Sequence, residues 1–494
     1  MRAFTDPGLV RLRDAGVTMA ATLLSFGSVL ALRHAVGLTT GSVLLAVVLS
    51  LSLGRQQGHR DARHPHTVLL APIVLPVLAV AAGEISKRMY THANVGDALF
   101  VVGMSGAIWL RRFGGLGRRA GLLITTTLTA TLIAPGPVVP LGPHAPTRWW
   151  GAVVALIALA WVRVTRFVAQ GLRIVSAEPD EAAAAAVPAP VLRPTTARWL
   201  RLPASTKMAL QMAVALAAAF AAGRSAFGVH WTWTVLTAFI VGSGNRGRGD
   251  VTHKAILRVV GAAGGTAFAT VVATGFPAHD DWSVVTIFVV LGVALWLRPV
   301  GYAFWAAGMT AALALLYGFY GQRGDHLLVD RLEGILIGAA LAVAAAWLVF
   351  PIRNIDVIRR HLSVALAEIA SRLGGEQSDA VFPVASVAMI RESTEAAELA
   401  AGSVHSLRLV PALRLIPARW RAGLPYAVAS RELASGAAGL ATLPGRRLRL
   451  TEETRRELAR DLAAARRALA SDAPHAQVSE LPVVATRIAA ALRG

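Results

Sequence analysis

Long apolar stretches alternate with short polar connections along roughly the first 350 residues of the chain. A helix needs about 20 mostly apolar residues to cross a bilayer, because its backbone N–H and C=O groups cannot stay unpaired in hydrocarbon. The pattern predicts an all-α membrane protein with about twelve transmembrane helices. The predicted spans lie at about residues 15–33, 37–53, 67–83, 95–110, 120–134, 149–165, 207–223, 229–244, 255–275, 282–298, 300–320 and 333–351.

Basic residues collect in alternate connections, and this sets the predicted orientation. Arg and Lys near span ends resist translocation and mark the cytoplasmic side. The connections at 135–146 and 275–280 contain no Arg or Lys, whereas Lys87 and Arg88 break the pattern. Both termini are therefore predicted to be cytoplasmic. The marking residues are Arg11, Arg13, Arg55, Arg60, Arg63, Arg111, Arg112, Arg118, Arg119, Arg246, Arg248 and Lys254.

The first six and last six spans resemble each other in more than hydropathy. Gly37 opens the second span, and a polar turn that starts at Gly54 closes it; Gly228 and Gly244 stand at the corresponding places of the eighth span. Each group has an even number of spans and begins inside. The groups are therefore predicted to be two parallel six-helix repeats, and transporters often place their pathway at such an interface.

Two segments outside the spans differ in composition. An acidic stretch followed by an Ala- and Pro-rich run predicts a cytoplasmic linker. The last part of the chain mixes both charges with helically spaced apolar residues, and Thr451 begins a helix-start signal there. The predicted domains are a first repeat at 1–173, the linker at 174–204, a second repeat at 205–351 and a cytoplasmic helical domain at 352–494.

Composition narrows the class of protein. The 494 residues are 55% hydrophobic and 16% charged, with a mean hydropathy of +0.56, which is too apolar for a soluble protein. The net charge of +21 does not indicate nucleic-acid binding, because the basic residues lie at span ends and not in one stripe beside stacking aromatics. There is no Cys, and no residue set indicates an enzyme, a cofactor or a metal site. The bias towards Arg, Ala, Gly and Val is typical of a GC-rich bacterial genome.

The strongest local signature starts with His-Trp-Thr-Trp-Thr-Val-Leu-Thr at 230–237 and continues through Lys254 and Arg258 to Gly265. A second signature, Asp-Arg-Leu-Glu-Gly-Ile-Leu-Ile-Gly, begins at residue 330 and leads to Pro351. This order resembles the fusaric acid resistance family of integral membrane transporters, although Ala262 stands where that family's motif has Thr. The resemblance is specific in the second group of spans and covers the first group only in layout.

The resemblance implies a function. Relatives in this family include exporters of aromatic carboxylic acids and plant anion channels activated by aluminium. It implies that the chain exports small, aromatic organic acids through a bacterial plasma membrane, with the lipid bilayer and a small organic anion as its partners. A homo-oligomer is compatible with the family analogy. Two alternatives stay open: a passive organic-anion channel, and a membrane-anchored interaction protein that acts through its cytoplasmic tail.

Arg258 and Lys254 are candidates for binding the substrate carboxylate. Arg258 lies about one turn inside the ninth span, where a charge is costly unless it faces a cavity, a partner or the interface. Lys254 is one turn earlier on the same helix face. The alternative is that both side chains reach lipid headgroups and set the topology. The same helix has a smooth surface suited to packing, formed by Gly261, Ala262, Gly264 and Gly265.

Four further residues complete the candidate set. Trp231 and Trp233 stand at the outer start of the eighth span, where they are candidates for stacking on an aromatic substrate or for an interfacial aromatic belt. Thr237, deeper in that span, is a candidate hydroxyl donor. Arg331 lies at the outer end of the last span as a candidate for translocation, with an ion pair or a solvated helix end as the alternative.

Energy coupling has few candidate groups. Proton-driven carriers usually hold titratable side chains inside the bundle, but the predicted span centres contain almost no Asp or Glu. Glu84, Asp97 and Glu333 all lie near span ends. Either one of these residues or His230 couples transport to protons, or the anions move passively down their electrochemical gradient.

Overall fold

The computed structural model divides the chain into two compact units. It describes the whole chain except residues 1–5, 7–8, 39, 58–64, 134–148, 176–201, 246, 274, 276, 278, 321–324, 374–378, 408–423, 444–446, 471–474 and 494. Most of the predicted linker and the Pro-rich connection at 135–146 lie outside the described residues, as do Arg60, Arg63 and Arg246. Among the described residues, the first unit contains 6–175, 202–243 and 254–350, and the second contains 244–253 and 351–493.

The first unit contains one helix at each predicted span position. The six helices of the first group are α1 (Val10–Val36), α2 (Thr40–Gln57), α3 (Pro65–Thr91), α4 (Ala93–Leu110), α5 (Gly114–Ile133) and α6 (Trp150–Gly171). Those of the second group are α7 (Ala204–Phe227), α8 (Thr232–Gly242), α9 (Arg248–Ala273), α10 (Asp281–Leu297), α11 (Tyr302–Phe319) and α12 (Asp325–Leu348). The all-α membrane class fits these helices, whereas the two repeats stay a prediction.

By length and composition, seven helical segments in the described part of the chain are suited to crossing a membrane. They are Val10–Val36, Ala93–Ile133, Trp150–Gly171, Ala204–Phe227, Arg248–Val272, Tyr302–Phe319 and Val329–Leu348. Shorter apolar helices occupy Thr40–Arg55, Thr232–Gly242 and Asp281–Leu297. The segment Ala93–Ile133 contains α4 and α5, which a single 3-10 turn at Arg111–Phe113 joins. Twelve complete crossings therefore stay a prediction.

Small residues let the helices of the second group approach closely. A side chain added at Gly265 of α9 would meet the backbone of Ala307 on α11, and one at Gly338 of α12 would meet the backbone carbonyl of Thr234 on α8. Gly264 faces open space. Helix association in a bilayer depends on such van der Waals contact, because lipid tails are as apolar as the side chains. These contacts fix α8, α9, α11 and α12 around one region of the unit.

The second unit is mainly helical. Its elements are α13 (Asn354–Leu373), β1 (Asp379–Val381), α14 (Val384–Leu407), α15 (Leu424–Thr442), β2 (Arg447–Arg449), α16 (Glu452–Ala468) and α17 (His475–Ala491). The two strands pair antiparallel, a feature that the sequence analysis did not predict. The Thr451 side chain caps α16 by accepting the N–H of Thr454 at 3.2 Å, and Leu458 and Leu462 face the core with 2% and 3% exposure.

The connection between α8 and α9 belongs to the second unit. The N–H of Gly249 donates to Oδ1 of Asn354 at 2.9 Å, and the N–H of Arg248 donates to the carbonyl of Ile352 at 3.0 Å. A side chain at Gly247 would meet the Asn354 amide. The start of α9 is thus bound to the start of α13 by one backbone–side-chain and one backbone–backbone hydrogen bond.

Candidate functional site: a buried polar cluster beside a short central helix

Helix α8 is short and buried on almost every side. It has 11 residues, about 16 Å of helix, which is roughly half of a bilayer's hydrocarbon core. All of its residues from Thr232 to Phe239 are buried. These residues are apolar or threonine, so the helix has no charged face that favours contact with water. Its neighbours include α7 and α12. Short helices inside a bundle are typical of transporter binding sites.

Arg331 of α12 points into this buried region. Its side chain is 3% exposed, and its Nη2 donates to the backbone carbonyl of Thr310 on α11 at 2.9 Å. Its guanidinium carbon lies 6.0 Å from the Trp233 ring. No carboxylate among the described residues forms a salt bridge with it. The structure therefore places a buried cation where the sequence left open a solvated or ion-paired helix end.

Arg258 of α9 is a second buried cation in the same region. It is 4% exposed, and its Nε has no hydrogen-bond partner among the described residues. It lies near enough to Arg331 and Tyr302 for their electrostatic fields to interact. In the described part of the chain, Arg258 also has no carboxylate in salt-bridge distance. Its burial means that the side chain does not reach lipid headgroups.

Several buried hydroxyl groups on α8 and α11, the helices that contact Arg331, also lack partners among the described residues. Thr234, Thr237 and Thr310 are completely buried, and none of their Oγ1 atoms has a hydrogen-bond partner among the described residues. The Trp233 Nε1 lies near the Tyr317 hydroxyl but outside hydrogen-bond geometry with any described residue. Buried polar groups are usually satisfied, so a set of orphans is a signal that a ligand or water completes them. We call Trp233, Thr234, Thr237, Arg258, Thr310 and Arg331 the buried polar cluster.

The two tryptophans that the sequence paired have different surroundings. Trp233 stacks on His230 with ring centroids 4.8 Å apart and meets the edge of Tyr317 at 5.7 Å. Trp231 instead lies 4.4 Å from the Arg224 guanidinium. Residues two apart on a helix point in nearly opposite directions. Trp233 therefore belongs to the buried polar cluster, and Trp231 does not.

The surroundings of Trp231 are those of a satisfied structural contact. Arg224 forms a bidentate salt bridge with Asp97 of α4, with nitrogen to oxygen distances of 2.6 and 2.7 Å. Its Nη2 also donates to the carbonyl of Met89 at 2.9 Å. Trp231 is 2% exposed and covers this pair together with Phe220. The interpretation of Trp231 as a substrate contact therefore has no geometric support.

Lys254 links the end of α8 to the start of α11. Its Nζ donates to the backbone carbonyl of Ser243 at 2.7 Å, just after the last residue of α8. A cation stabilises this end, because the free carbonyl groups of a helix C-terminus carry partial negative charge. The same ammonium lies 5.6 Å from the ring of Tyr302, which also borders Arg258. Lys254 and Arg258 thus share a neighbour, but Lys254 has a structural contact of its own.

Four residues of the site were not predicted from the sequence: Thr234, Tyr302, Thr310 and Tyr317. A usable signal was present for Thr310, because it is a lone hydroxyl near the middle of an otherwise apolar span. Tyr302 and Tyr317 stand at span ends, where tyrosines are common for interfacial reasons alone. Their roles depend on how α11 packs against α9 and α12.

The comparisons with known proteins give a family match for the second helix group. Residues 207–345 match the family model described as fusaric acid resistance protein-like, which confirms the resemblance over that segment. The matched segment contains every residue of the buried polar cluster. No curated protein and no solved structure matches the chain. The match indicates a membrane transporter, and the multiple apolar helices indicate a multi-pass membrane protein.

The buried polar cluster has the chemistry of an anion site. It offers guanidinium and hydroxyl donors beside an indole ring, and it contains no carboxylate. Arginine presents several N–H donors in a planar arrangement that matches a carboxylate. Among the described residues, no group of three or more His, Asp and Glu side chains could hold a metal ion.

Proposed function

We propose that the protein exports small aromatic organic acids and that the buried polar cluster is their binding site. The single observation behind this proposal is the pair of buried arginines, Arg258 and Arg331, without a carboxylate partner. An uncompensated buried charge costs several kcal/mol, roughly, even after local relaxation. A bound organic anion compensates that charge. Binding therefore removes an unfavourable free energy that is present in the protein without the anion.

The surroundings of Arg331 favour an aromatic anion over an aliphatic one. Its guanidinium and the edge of Tyr317 both meet Trp233. An aromatic ring gains from edge or offset contacts with such side chains, roughly 0.5–1.5 kcal/mol beyond its burial. In the proposed complex the carboxylate accepts from Arg331 and Arg258, the ring packs beside Trp233, and Thr237 donates its hydroxyl hydrogen.

The membrane potential supplies a driving force for export. With the predicted orientation, an inside-negative potential pushes an anion outward by about 2.3 kcal/mol per charge per 100 mV. Asp97 is bound to Arg224, and His230 stacks on Trp233, so two of the four candidate coupling groups have structural contacts. This observation favours a second candidate mechanism, passive organic-anion flow, in which no proton is exchanged.

Flux through purified protein in liposomes tests the proposal. Vesicles loaded with labelled benzoate and given an inside-negative potential should release it through the wild-type protein. Arg258→Gln and Arg331→Gln should each slow release at least about tenfold, since each removes a charged donor worth roughly 1.5–3 kcal/mol. Arg112→Gln is the matched control, because Arg112 is an exposed arginine that lies over Trp109 at 5.1 Å.

The outcome separates the function from its alternatives. Equal release by wild type and both arginine variants contradicts the proposed site. Release that is unchanged by a pH gradient supports the passive route over a proton-coupled carrier. In cells, a tether that acts through its tail keeps its phenotype in Arg258→Gln, whereas an exporter loses it.

A further inference from the structure

The charge pattern predicts which ends of the helices in the first unit face the cytoplasm. A second group of cations lies at these ends. Arg55, near the end of α2, has its guanidinium carbon 4.9 Å from the ring of Trp305 on α11. Arg298, just after α10, lies 6.0 Å from the same ring. One indole therefore meets two guanidinium groups that come from different helix groups.

These two cations are not explained by ion pairing. The like charges of Arg55 and Arg298 act on each other, and the Nε of Arg55 is buried without a partner among the described residues. Neither arginine forms a salt bridge in the described part of the chain. Asp14 is near enough to act on Arg298, but it is bound to Arg166 at 3.2 Å. Two cations held on one ring repel each other, and an anion between them offsets this repulsion.

Tyr302 connects this group to the buried polar cluster. It stands one turn before Trp305 on α11, and both Arg55 and Arg258 lie within its electrostatic reach. Arg298 is exposed, Arg55 and Trp305 are half-buried, and Arg258 is buried. The cations therefore follow an order of increasing burial from the surface towards Arg258. Positively charged side chains arranged in this way raise the local concentration of anions at a mouth.

We propose that Arg55, Arg298 and Trp305 form an entry subsite that binds the organic anion before it reaches Arg258. The inference rests on the proposed function and extends it, because it assigns a role to the first helix group through Arg55. The carboxylate lies between the two guanidinium groups, and the aromatic ring contacts the indole of Trp305. Anionic lipid headgroups share this oxyanion chemistry, so the experiment separates the two sources.

Equilibrium binding of labelled benzoate to the full-length protein, purified in an uncharged detergent, tests the subsite. The wild-type protein should bind two benzoate molecules per chain. Arg55→Gln and Trp305→Leu should each leave one, and the Arg258→Gln/Arg331→Gln double variant should also leave one. Arg112→Gln, the matched control, should leave two.

Kinetics and lipid composition complete the experiment. In liposomes of uncharged lipid, Arg55→Gln should raise the KM for benzoate about five- to tenfold while the maximum rate stays within about twofold. A second benzoate site that persists in Arg55→Gln and Trp305→Leu overturns the inference and leaves the proposed function intact. An Arg55→Gln effect that appears only when phosphatidylglycerol is present assigns the site to lipid and also overturns it. If Arg55→Gln removes one benzoate site and the Arg258→Gln/Arg331→Gln double variant removes none, the result contradicts the proposed function instead.

Discussion

Polar side chains are used in opposite ways in α5 of the first helix group and in the buried polar cluster of the second group. In α5 of the first group, five threonines donate their hydroxyl hydrogens to carbonyl groups of their own helix: Thr125, Thr126, Thr127, Thr129 and Thr131. In the second group, Thr234, Thr237 and Thr310 leave their hydroxyls without a partner among the described residues. The arginines differ in parallel, because Arg166 pairs with Asp14 whereas Arg258 and Arg331 pair with no described carboxylate.

Satisfied and unsatisfied polar groups differ in their free-energy cost, and this difference indicates where a ligand site lies. A threonine bonded to its own helix costs little in lipid, since its hydroxyl is already satisfied. A buried orphan costs roughly 1–3 kcal/mol, and such a cost persists when the group serves a ligand. Helix α5 uses its threonines for folding, while the buried polar cluster keeps several polar groups available for an anion.

The largest expected effect comes from removing both buried arginines. Arg258→Leu/Arg331→Leu should slow benzoate flux about 100-fold or more, because both charged donors are lost. The same variant should unfold at an unchanged or higher temperature, since it removes two uncompensated buried charges. Flux assays and thermal unfolding in detergent measure the two effects. Lower stability with intact flux would reverse the interpretation of these residues.

Arg224 should show the opposite combination. Arg224→Leu leaves Asp97 as a half-buried, unpaired carboxylate, so the free energy of unfolding should fall by about 1–3 kcal/mol. The loss should be partly reversed in Arg224→Leu/Asp97→Leu, which removes both charges. Chemical unfolding of the four proteins in a double-mutant cycle gives the coupling energy. Zero coupling would mean that the salt bridge does not hold α4 against α7.

Two glycines offer a smaller and sharper test of helix packing. Gly338→Ala puts a methyl group against the carbonyl of Thr234, so it should weaken the contact of α12 with α8 and lower stability by about 1–3 kcal/mol. Gly264→Ala is the control, because no heavy atom lies within 4 Å of the added methyl group. It should be neutral or stabilise by up to about 1 kcal/mol. Equal effects of both variants would contradict the close α8 to α12 contact.

The smallest expected effect concerns single hydroxyl groups. Thr237→Val should weaken benzoate binding about three- to tenfold with little change in stability, because the lost hydroxyl has no partner among the described residues. Thr127→Val should leave binding unchanged, since that hydroxyl donates to Leu123 within its own helix at 2.8 Å. Isothermal titration of both variants compares the two groups directly. A binding loss in Thr127→Val alone would reverse the comparison.

The positions of the helices could be predicted from the sequence because hydropathy determines them directly. Each predicted span contains a helix, and Arg258 was identified because a charge inside an apolar span is unusual. Arg331 was a candidate at the outer end of the last span, and its burial was not predicted. The length of α8 was not predictable in this way. The predicted span at 229–244 is an 11-residue helix that follows a 3-10 turn at Gly228–His230, where Gly228 has a φ of +52°.

Tertiary packing decided the remaining residues. Trp231 and Trp233 have the same residue type in one motif, yet only the direction of each side chain on α8 separates a structural contact from a site contact. In the sequence, Arg55 stands in a predicted polar turn whose arginines indicate only the orientation of the spans. Its contact with Trp305 joins residues 250 positions apart in the chain. Hydropathy and spacing within one span contain no information about such a contact.

A structure of the full-length protein with 4-iodobenzoate tests the central claim most directly, because the iodine atom marks the ring and leaves the carboxylate free. We expect iodine density beside Trp233, with the carboxylate directed towards Arg331 and Arg258. Density confined to the lipid-facing surface, with the region between α8, α9, α11 and α12 empty at saturating ligand, would contradict the account.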